Sequence, residues 1–198
     1  MRKIILITLS VILPAFVMAQ DFNKHLATAK SSYSAGKLEE SRFAMEQMMQ
    51  ELDITIGKEV LKLLPAKLDN LNMNASADNV VGMTGFMGVN IHRDYGTAEK
   101  KAEVDMITNS PLVASINTIL SIPFVGNSAD GNQKRVKIDG YKGLLQKNVN
   151  SETQKANYEL QMPFNSTLLT FRMDNAEEAE VLKMAAQIPI AQIAKMLQ

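Results

Sequence analysis

The 198-residue chain contains no cysteine, no tryptophan and only two histidines. The lack of cysteine excludes disulfides, thiol catalysis and thiolate-bound metals, and it also excludes a lipid anchor attached through a cysteine. Because tryptophan is absent and the four tyrosines are scattered, no aromatic platform for stacking sugars is visible. The fold must therefore rest on its apolar core, for which 46% hydrophobic residues are ample.

The two histidines limit the catalytic chemistry that the chain can carry. His25 lies in a predicted helix, where a solvent-facing position is expected, and His92 lies in a predicted strand shortly before Asp94. Two ligands do not make a metal site. A serine hydrolase triad would need one of these histidines, and no Gly-x-Ser-x-Gly motif accompanies them. The sequence thus favours a protein that is not an enzyme and that holds no cofactor.

Basic residues are not in excess, since 21 lysines and arginines face 21 aspartates and glutamates. Arg2 and Lys3 belong to the leader described next, so the remainder of the chain has a small net negative charge. Proteins that bind nucleic acid neutralise phosphates with clustered cations. We therefore expect no nucleic-acid partner.

Residues 1–19 are predicted to be an export signal. Arg2 and Lys3 form its positive start, residues 4–13 its apolar core, and Ala19 offers a small side chain at the cleavage site. This core is too short to cross a bilayer of about 30 Å as a helix, and no later stretch is long and apolar enough to do so. We expect cleavage after Ala19 and a periplasmic or secreted protein that is not transmembrane. The alternatives are a short N-terminal anchor or a buried helix.

Residues 20–64 are predicted to form a helical hairpin. Helical periodicity covers residues 22–34 and 38–64, with a break at Gly36. Methionine adapts to irregular partners and is common on binding surfaces. The candidate partner-binding face consists of Met45, Met48, Met49 and Leu52. In the alternative interpretation, these residues pack on the other helix of the hairpin and on the sheet.

Residues 65–198 are predicted to form a sheet domain, in which residues 65–71 lead into a first strand and strands 88–95 and 102–108 form a hairpin. Strict alternation along both strands predicts one buried face and one polar face. The polar face carries a possible site made of His92, Asp94, Glu103 and Asp105. It is either a solvated sheet surface or a group of carboxylates able to support hydrolysis.

Residues 134–173 are predicted to form three antiparallel strands with clean period-two alternation. Ser110 and Pro111 predict the start of a helix, and Asp174 is expected to cap the last one. The inner side of the first of these helices is predicted to contain Leu112, Ile116, Ile119 and Leu120. The fold class is therefore α+β, with an N-terminal helical hairpin followed by an antiparallel sheet flanked by two helices.

Several short motifs resemble a family of exported bacterial proteins of unassigned function. They are GKLEE in the hairpin, LLPAKLDNL at the junction, NSPL at a helix start and VKIDGYKG in a strand, together with the closing strand and helix. The α+β part is similar in layout to the Mog1/PsbP-like fold. The resemblance implies export and this order of elements, and it implies no catalytic residues.

Three functions follow as hypotheses. The first is a non-enzymatic periplasmic binding or interaction protein with an unknown protein partner. The second is a carrier of an apolar small molecule or lipid, held between the sheet and a helix. The third is a hydrolase that uses the polar sheet face.

Overall fold

The computed structural model describes residues 15–83, 88–122, 131–149 and 155–198. The predicted leader lies mostly outside the described residues. Five helices are described: α1 Ala15–Ser34, α2 Leu38–Leu63, α3 Leu112–Ser121, α4 Glu178–Ala185 and α5 Ile190–Met196. Eight strands are described: β1 Lys67–Leu68, β2 Leu71–Gly82, β3 Val89–Gly96, β4 Lys101–Ile107, β5 Gln133–Ile138, β6 Tyr141–Val149, β7 Ala156–Phe164 and β8 Thr167–Met173.

The strands form one antiparallel sheet in the order β1-β2-β3-β4-β8-β7-β6-β5. Strands β1 to β4 and strands β5 to β8 are each consecutive neighbours, and the two groups meet where β4 pairs with β8. Helix α3 lies in the connection between them. The fold is thus α+β, with two N-terminal helices before the sheet and further helices flanking it, as the sequence predicts.

The chain divides into two compact units, residues 1–52 and residues 53–198. The division falls inside α2, whereas the domain boundary that we expected from the sequence lies after its end. The C-terminal part of α2 supplies Val60 and Leu64 to the same apolar core as the sheet. This part of the helix therefore belongs to the second unit.

The main core of the second unit covers one face of the sheet. Alternate residues of the central strands are buried on it, for example Val104 on β4, Phe171 on β8 and Leu160 on β7. Helices α4 and α5 add Val181 and Ile193. On the opposite face, α3 buries Ile116 and Leu120 against Leu144 and Leu168. The rest of that opposite face is polar.

The segment predicted as three strands contains four. Ile138 pairs with Tyr141 across a two-residue turn, in which Asp139 and Gly140 have φ of 49° and 86°. Positive φ at both central positions is the geometry that an Asp-Gly pair favours in a tight hairpin. The prediction of three strands over residues 134–173 is therefore wrong by one strand. Tyr141 packs edge-to-face on Phe164, with ring centroids 5.8 Å apart.

Two helix details also differ from expectation. Leu112 is 51% exposed. Helical periodicity places it on the same side of α3 as Ile116, but it is the first residue of the helix. Asp174 does not cap α4, which begins at Glu178 with Glu177 in the extended capping position. The tight turn between β7 and β8 places Asn165 at φ of 49°.

Candidate functional site

The contact between α1 and α2 in the first unit is built from small side chains. Ala29 and Ser32 of α1 are buried, and so are Ser41 and Ala44 of α2. The Ser41 hydroxyl donates a hydrogen bond to the carbonyl oxygen of Ala29 at 2.9 Å. Small residues let two helices approach closely, and they bury little apolar area themselves. Most of the large apolar side chains of the hairpin therefore lie outside the contact.

Seven large apolar side chains of the first unit are each between 43% and 66% exposed, and six of them lie on one side of the hairpin, all except Phe43. We call these six the hairpin face: Leu26, Tyr33, Leu38, Met45, Met49 and Leu52. In α2, residues 38, 45, 49 and 52 fall on one side of the helix, about a quarter turn from the line that contacts α1. In α1, residues 26 and 33 lie beside its own contact line on the same side of the hairpin.

The predicted partner-binding residues are distributed over this geometry as follows. Met45, Met49 and Leu52 belong to the hairpin face and are exposed. Met48 is half-buried and lies near the contact line. Sequence periodicity identified most of the α2 residues, but it did not identify Leu26 and Tyr33. Periodicity shows which residues share a side of a helix, and it does not show which side is covered.

The predicted polar site on the sheet is assembled as the strand register requires. His92 lies opposite Asp105, and Asp94 lies opposite Glu103. The Nδ1 atom of His92 is 2.7 Å from Oδ1 of Asp105. The Nζ atom of Lys101 is 3.0 Å from Oδ2 of Asp94 and 2.6 Å from Oε1 of Glu103. These hydrogen bonds, that to Glu103 being the stronger, raise the pKa of Lys101.

Strands β8 and β7 add residues that were not singled out from the sequence. The Nη1 atom of Arg172 donates to Oδ2 of Asp105 at 2.8 Å, and its Nε atom donates to Oε2 of Glu159 at 2.8 Å. Arg172 and Glu159 each lie between two buried residues in the sequence, so the outward direction of their side chains was predictable. Their position beside Asp105 was not, since it depends on the pairing of β4 with β8.

We call these residues the charged sheet cluster: His92, Asp94, Lys101, Glu103, Asp105, Glu159 and Arg172. Each carboxylate of this cluster has a cationic or imidazole neighbour. Asp94 retains one buried oxygen without a hydrogen bond among the described residues, since His92 Nε2 is 3.1 Å from Oδ1 but poorly aligned. No group of three or more potential metal ligands is arranged to hold an ion within the part of the chain that the structure describes. The arrangement matches a partly solvated, mutually paired sheet surface.

A third feature, which the sequence did not reveal, is a cavity of about 140 Å³ in the second unit. Asp53 and Ile56 of α2 contribute to it, as do the turn after β4, the turn between β7 and β8, and the end of α5. Its lining residues are Asp53, Ile56, Val89, Thr108, Asn109, Ser166, Met196, Leu197 and Gln198. No local pattern signals such a site, because its residues are distant in the sequence.

Comparison with protein-family models, with curated proteins and with solved structures gave no match. The fold alone defines the class, which is an α+β protein with an N-terminal helical hairpin. The resemblance to the Mog1/PsbP-like fold stays a prediction. Within the four described ranges, no helix combines the length and the apolar character that a membrane crossing requires.

Proposed function

We propose that this is an exported, non-enzymatic interaction protein whose hairpin face docks an amphipathic helix of a partner protein. The observation that carries the proposal is the exposure of six large apolar side chains on one side of the helical hairpin. Contiguous apolar surface with polar margins is typical of protein–protein contacts. Two helices in antiparallel contact also leave a shallow groove, which suits a third helix.

The charges at the edges of the hairpin face indicate what this partner helix carries. Helical periodicity places Arg42 beside Leu38 and Met49 on the outer margin of α2, with Glu46 and Glu39 farther out, and Lys30 on the outer margin of α1. Arg42 is paired with Glu46 at 3.0 Å on the surface. A matching helix has an apolar side with an acidic residue along the margin that meets Lys30.

The experiment is site-specific photocrosslinking from position 49 in the full-length protein, expressed in its own cells. Phe43 is the matched control, because it is also apolar and 62% exposed but lies on the opposite side of α2. We expect one heterologous adduct from position 49 and none from position 43. The variant Met49→Glu should abolish binding of the purified adduct partner, since a buried charge at a contact centre costs far more than truncation.

Three results would overturn this proposal. The first is the same set of adducts from positions 43 and 49, which would show nonspecific contacts over the hairpin surface rather than binding at the hairpin face. The second is no adduct from either position. The third is an adduct at twice the mass of the protein, which would mean that the face pairs with a second copy.

The export part of the proposal rests on residues 1–19, with their positive start and apolar core. It is tested by the intact mass of the protein recovered from the periplasm or the medium, which should correspond to a chain beginning at Gln20. Recovery from the cytoplasm with residues 1–19 still attached would contradict it.

The other two functions stay hypotheses. Sites for drug-sized ligands commonly occupy about 300–1,000 Å³. The cavity beside Asp53, at about 140 Å³, is too small for a lipid and so does not support a carrier. The mutual ion pairs of the charged sheet cluster are also what a solvated sheet surface contains, so they give the hydrolase no particular support.

A further inference from the structure

We propose that the outer edge of β5 binds an extended segment of a partner protein by strand addition, and that this segment has acidic residues at alternate positions with an apolar residue between them. The edge lies in the second unit, and none of its residues belongs to the hairpin face.

Strand β5 is the last strand of the sheet, and no described strand pairs with its outer side. In an antiparallel pair, every second residue exchanges hydrogen bonds with the neighbouring strand, and the residues between point their backbone groups the other way. The Lys147 N–H donates to the carbonyl oxygen of Asn132 at 2.8 Å, so residues 134, 136 and 138 also bond to β6. The backbone N–H and C=O groups of Arg135 and Lys137 therefore point outward, where they have no backbone partner among the described residues.

The side chains beside this edge carry positive charge without a counter-charge. Lys137 and Lys142 lie directly opposite each other, both are exposed, and neither has an acidic partner within the described ranges. The Arg135 guanidinium donates to the carbonyl oxygens of Leu120 and Ile122, which bring no negative charge. Like charges directly opposite each other are destabilising, so an acidic segment placed here should be favourable.

The two faces of β5 determine the pattern of the added strand. Arg135 and Lys137 point to one face of the sheet, and Val136 between them packs on the main core at the other face. Side chains opposite each other on adjacent strands have Cβ atoms about 4.5–5.5 Å apart, so acidic residues opposite Arg135 and Lys137 would pair with them. The residue between those two acids lies beside Val136 and is therefore apolar.

The cations also select against a second copy of the chain. Lysine on an edge strand hinders the pairing of identical edges, because both bring the same charge. Strand β5 contains no proline and pairs in unbroken register with β6, whereas β2 has a register shift between Asn74 and Asn79. The edge of β5 is thus regular enough to accept a strand, and its charge restricts that strand to an acidic one.

The test adds the end-blocked peptide Thr-Glu-Val-Glu-Val-Thr to the full-length protein and follows amide NMR shifts and hydrogen exchange. We expect saturable shifts and slowed exchange at Arg135 and Lys137, whose N–H groups gain acceptors. Exchange at Val136 should change little, because its N–H group already bonds to β6. The peptide with glutamine in place of glutamate should bind more weakly, and the one with lysine should not bind.

Backbone methylation separates strand addition from simple charge attraction. In an antiparallel complex, the glutamate N–H groups face Arg135 and Lys137, and the valine N–H groups point away. N-methylation of both glutamates should therefore abolish binding, and N-methylation of both valines should preserve it.

The matched variants are Lys137→Glu and Lys67→Glu, since Lys67 is also exposed but lies on β1 at the other end of the sheet. An exposed ion pair contributes little and its reversal adds a repulsion of similar size, so Lys137→Glu should weaken binding of the glutamate peptide about two- to thirtyfold. Lys67→Glu should leave it unchanged. Lys137→Glu places an acid opposite Lys142, so the hairpin itself should not lose stability.

Three results in the unaltered protein would overturn the proposal without any variant. They are no saturable binding of the glutamate peptide, equal affinities for the glutamate and glutamine peptides, and equal losses from the two methylations. Vesicles of phosphatidylglycerol that shift the Arg135 and Lys137 amides when the glutamate peptide does not would assign these cations to a membrane surface instead.

Discussion

Arg93 joins three parts of the second unit. It lies on β3 and is only 6% exposed. Its Nε and Nη2 atoms donate to the two carboxylate oxygens of Asp78 on β2, at 2.8 Å and 2.6 Å. Its Nη1 atom donates to the carbonyl oxygen of Leu64, just after the end of α2, at 3.0 Å. The bidentate geometry fixes both orientation and distance.

Replacing Arg93 with methionine keeps an unbranched stem and removes all three hydrogen bonds. It leaves the Asp78 side chain, 17% exposed, without its cation. Loss of one partner of a buried pair costs about 3–5 kcal/mol, because the other charge remains buried and uncompensated. In a protein of this size 1 kcal/mol shifts the melting temperature by roughly 2–4 °C. We therefore expect Arg93→Met to lower the melting temperature by about 6–20 °C.

The assay is thermal and urea unfolding followed by circular dichroism, with Arg172→Met as the matched control. Arg172 also contacts two carboxylates, but its side chain is 44% exposed. Exposed pairs are each worth about 0–1 kcal/mol, so this control should lose much less stability. The double variant Asp78→Leu/Arg93→Met should recover part of the loss, since no charge is then left unpaired. If Arg93→Met and Arg172→Met lose the same free energy of unfolding, burial is not what makes the Arg93 pair important.

Three further predictions concern the second unit. In Gly57→Ala, the new Cβ would lie 2.7 Å from Cγ1 of Val80. Overpacking should cost about 1–3 kcal/mol, more than the gain of about 1 kcal/mol in helix propensity, so the free energy of unfolding should fall. A raised urea midpoint would refute this. Gly140→Ala places a side chain at φ of 86° and should cost about 1–2 kcal/mol in the same urea assay. Burial raises the pKa of Tyr95 from 10.0 to about 12. The folded state therefore retains a proton that the unfolded state loses, so stability should fall as the pH rises across that interval. In Tyr95→Phe this fall should be smaller in urea midpoints measured over the same pH series.

Local periodicity determined how much of the sheet could be predicted. Because side chains alternate with a period of two, the facing of His92 and Asp105 followed from the sequence, and their cross-strand contact is present. The pairing of β4 with β8 was not predictable, since nothing in either strand specifies a neighbour so distant in the chain. Arg172 consequently joined the charged sheet cluster unexpectedly. Asp139 and Gly140 did carry a turn signal, which a continuous strand interpretation overlooked.

Helical periodicity predicted which residues of α2 belong to the hairpin face, but it did not predict whether they are buried or exposed. The pattern groups Met45, Met49 and Leu52, but grouping is equally compatible with a buried side and with an exposed one. What separates these alternatives is the size of the residues at the helix contact. With Ala29 and Ala44 there, α1 and α2 bury their small residues and leave the large ones outside.

This distribution of sizes is an argument for a partner. In a hairpin stabilised by its own two helices, the largest apolar side chains are expected at the contact, where burial of each contributes about 1.5–3 kcal/mol. Here Leu38 and Tyr33 are more than 60% exposed, whereas the buried positions are taken by alanine and serine. The hairpin therefore forgoes most of the stabilisation that its apolar residues can supply. A helix placed on the hairpin face would recover it, so the binding of that helix should also raise the stability of α1 and α2.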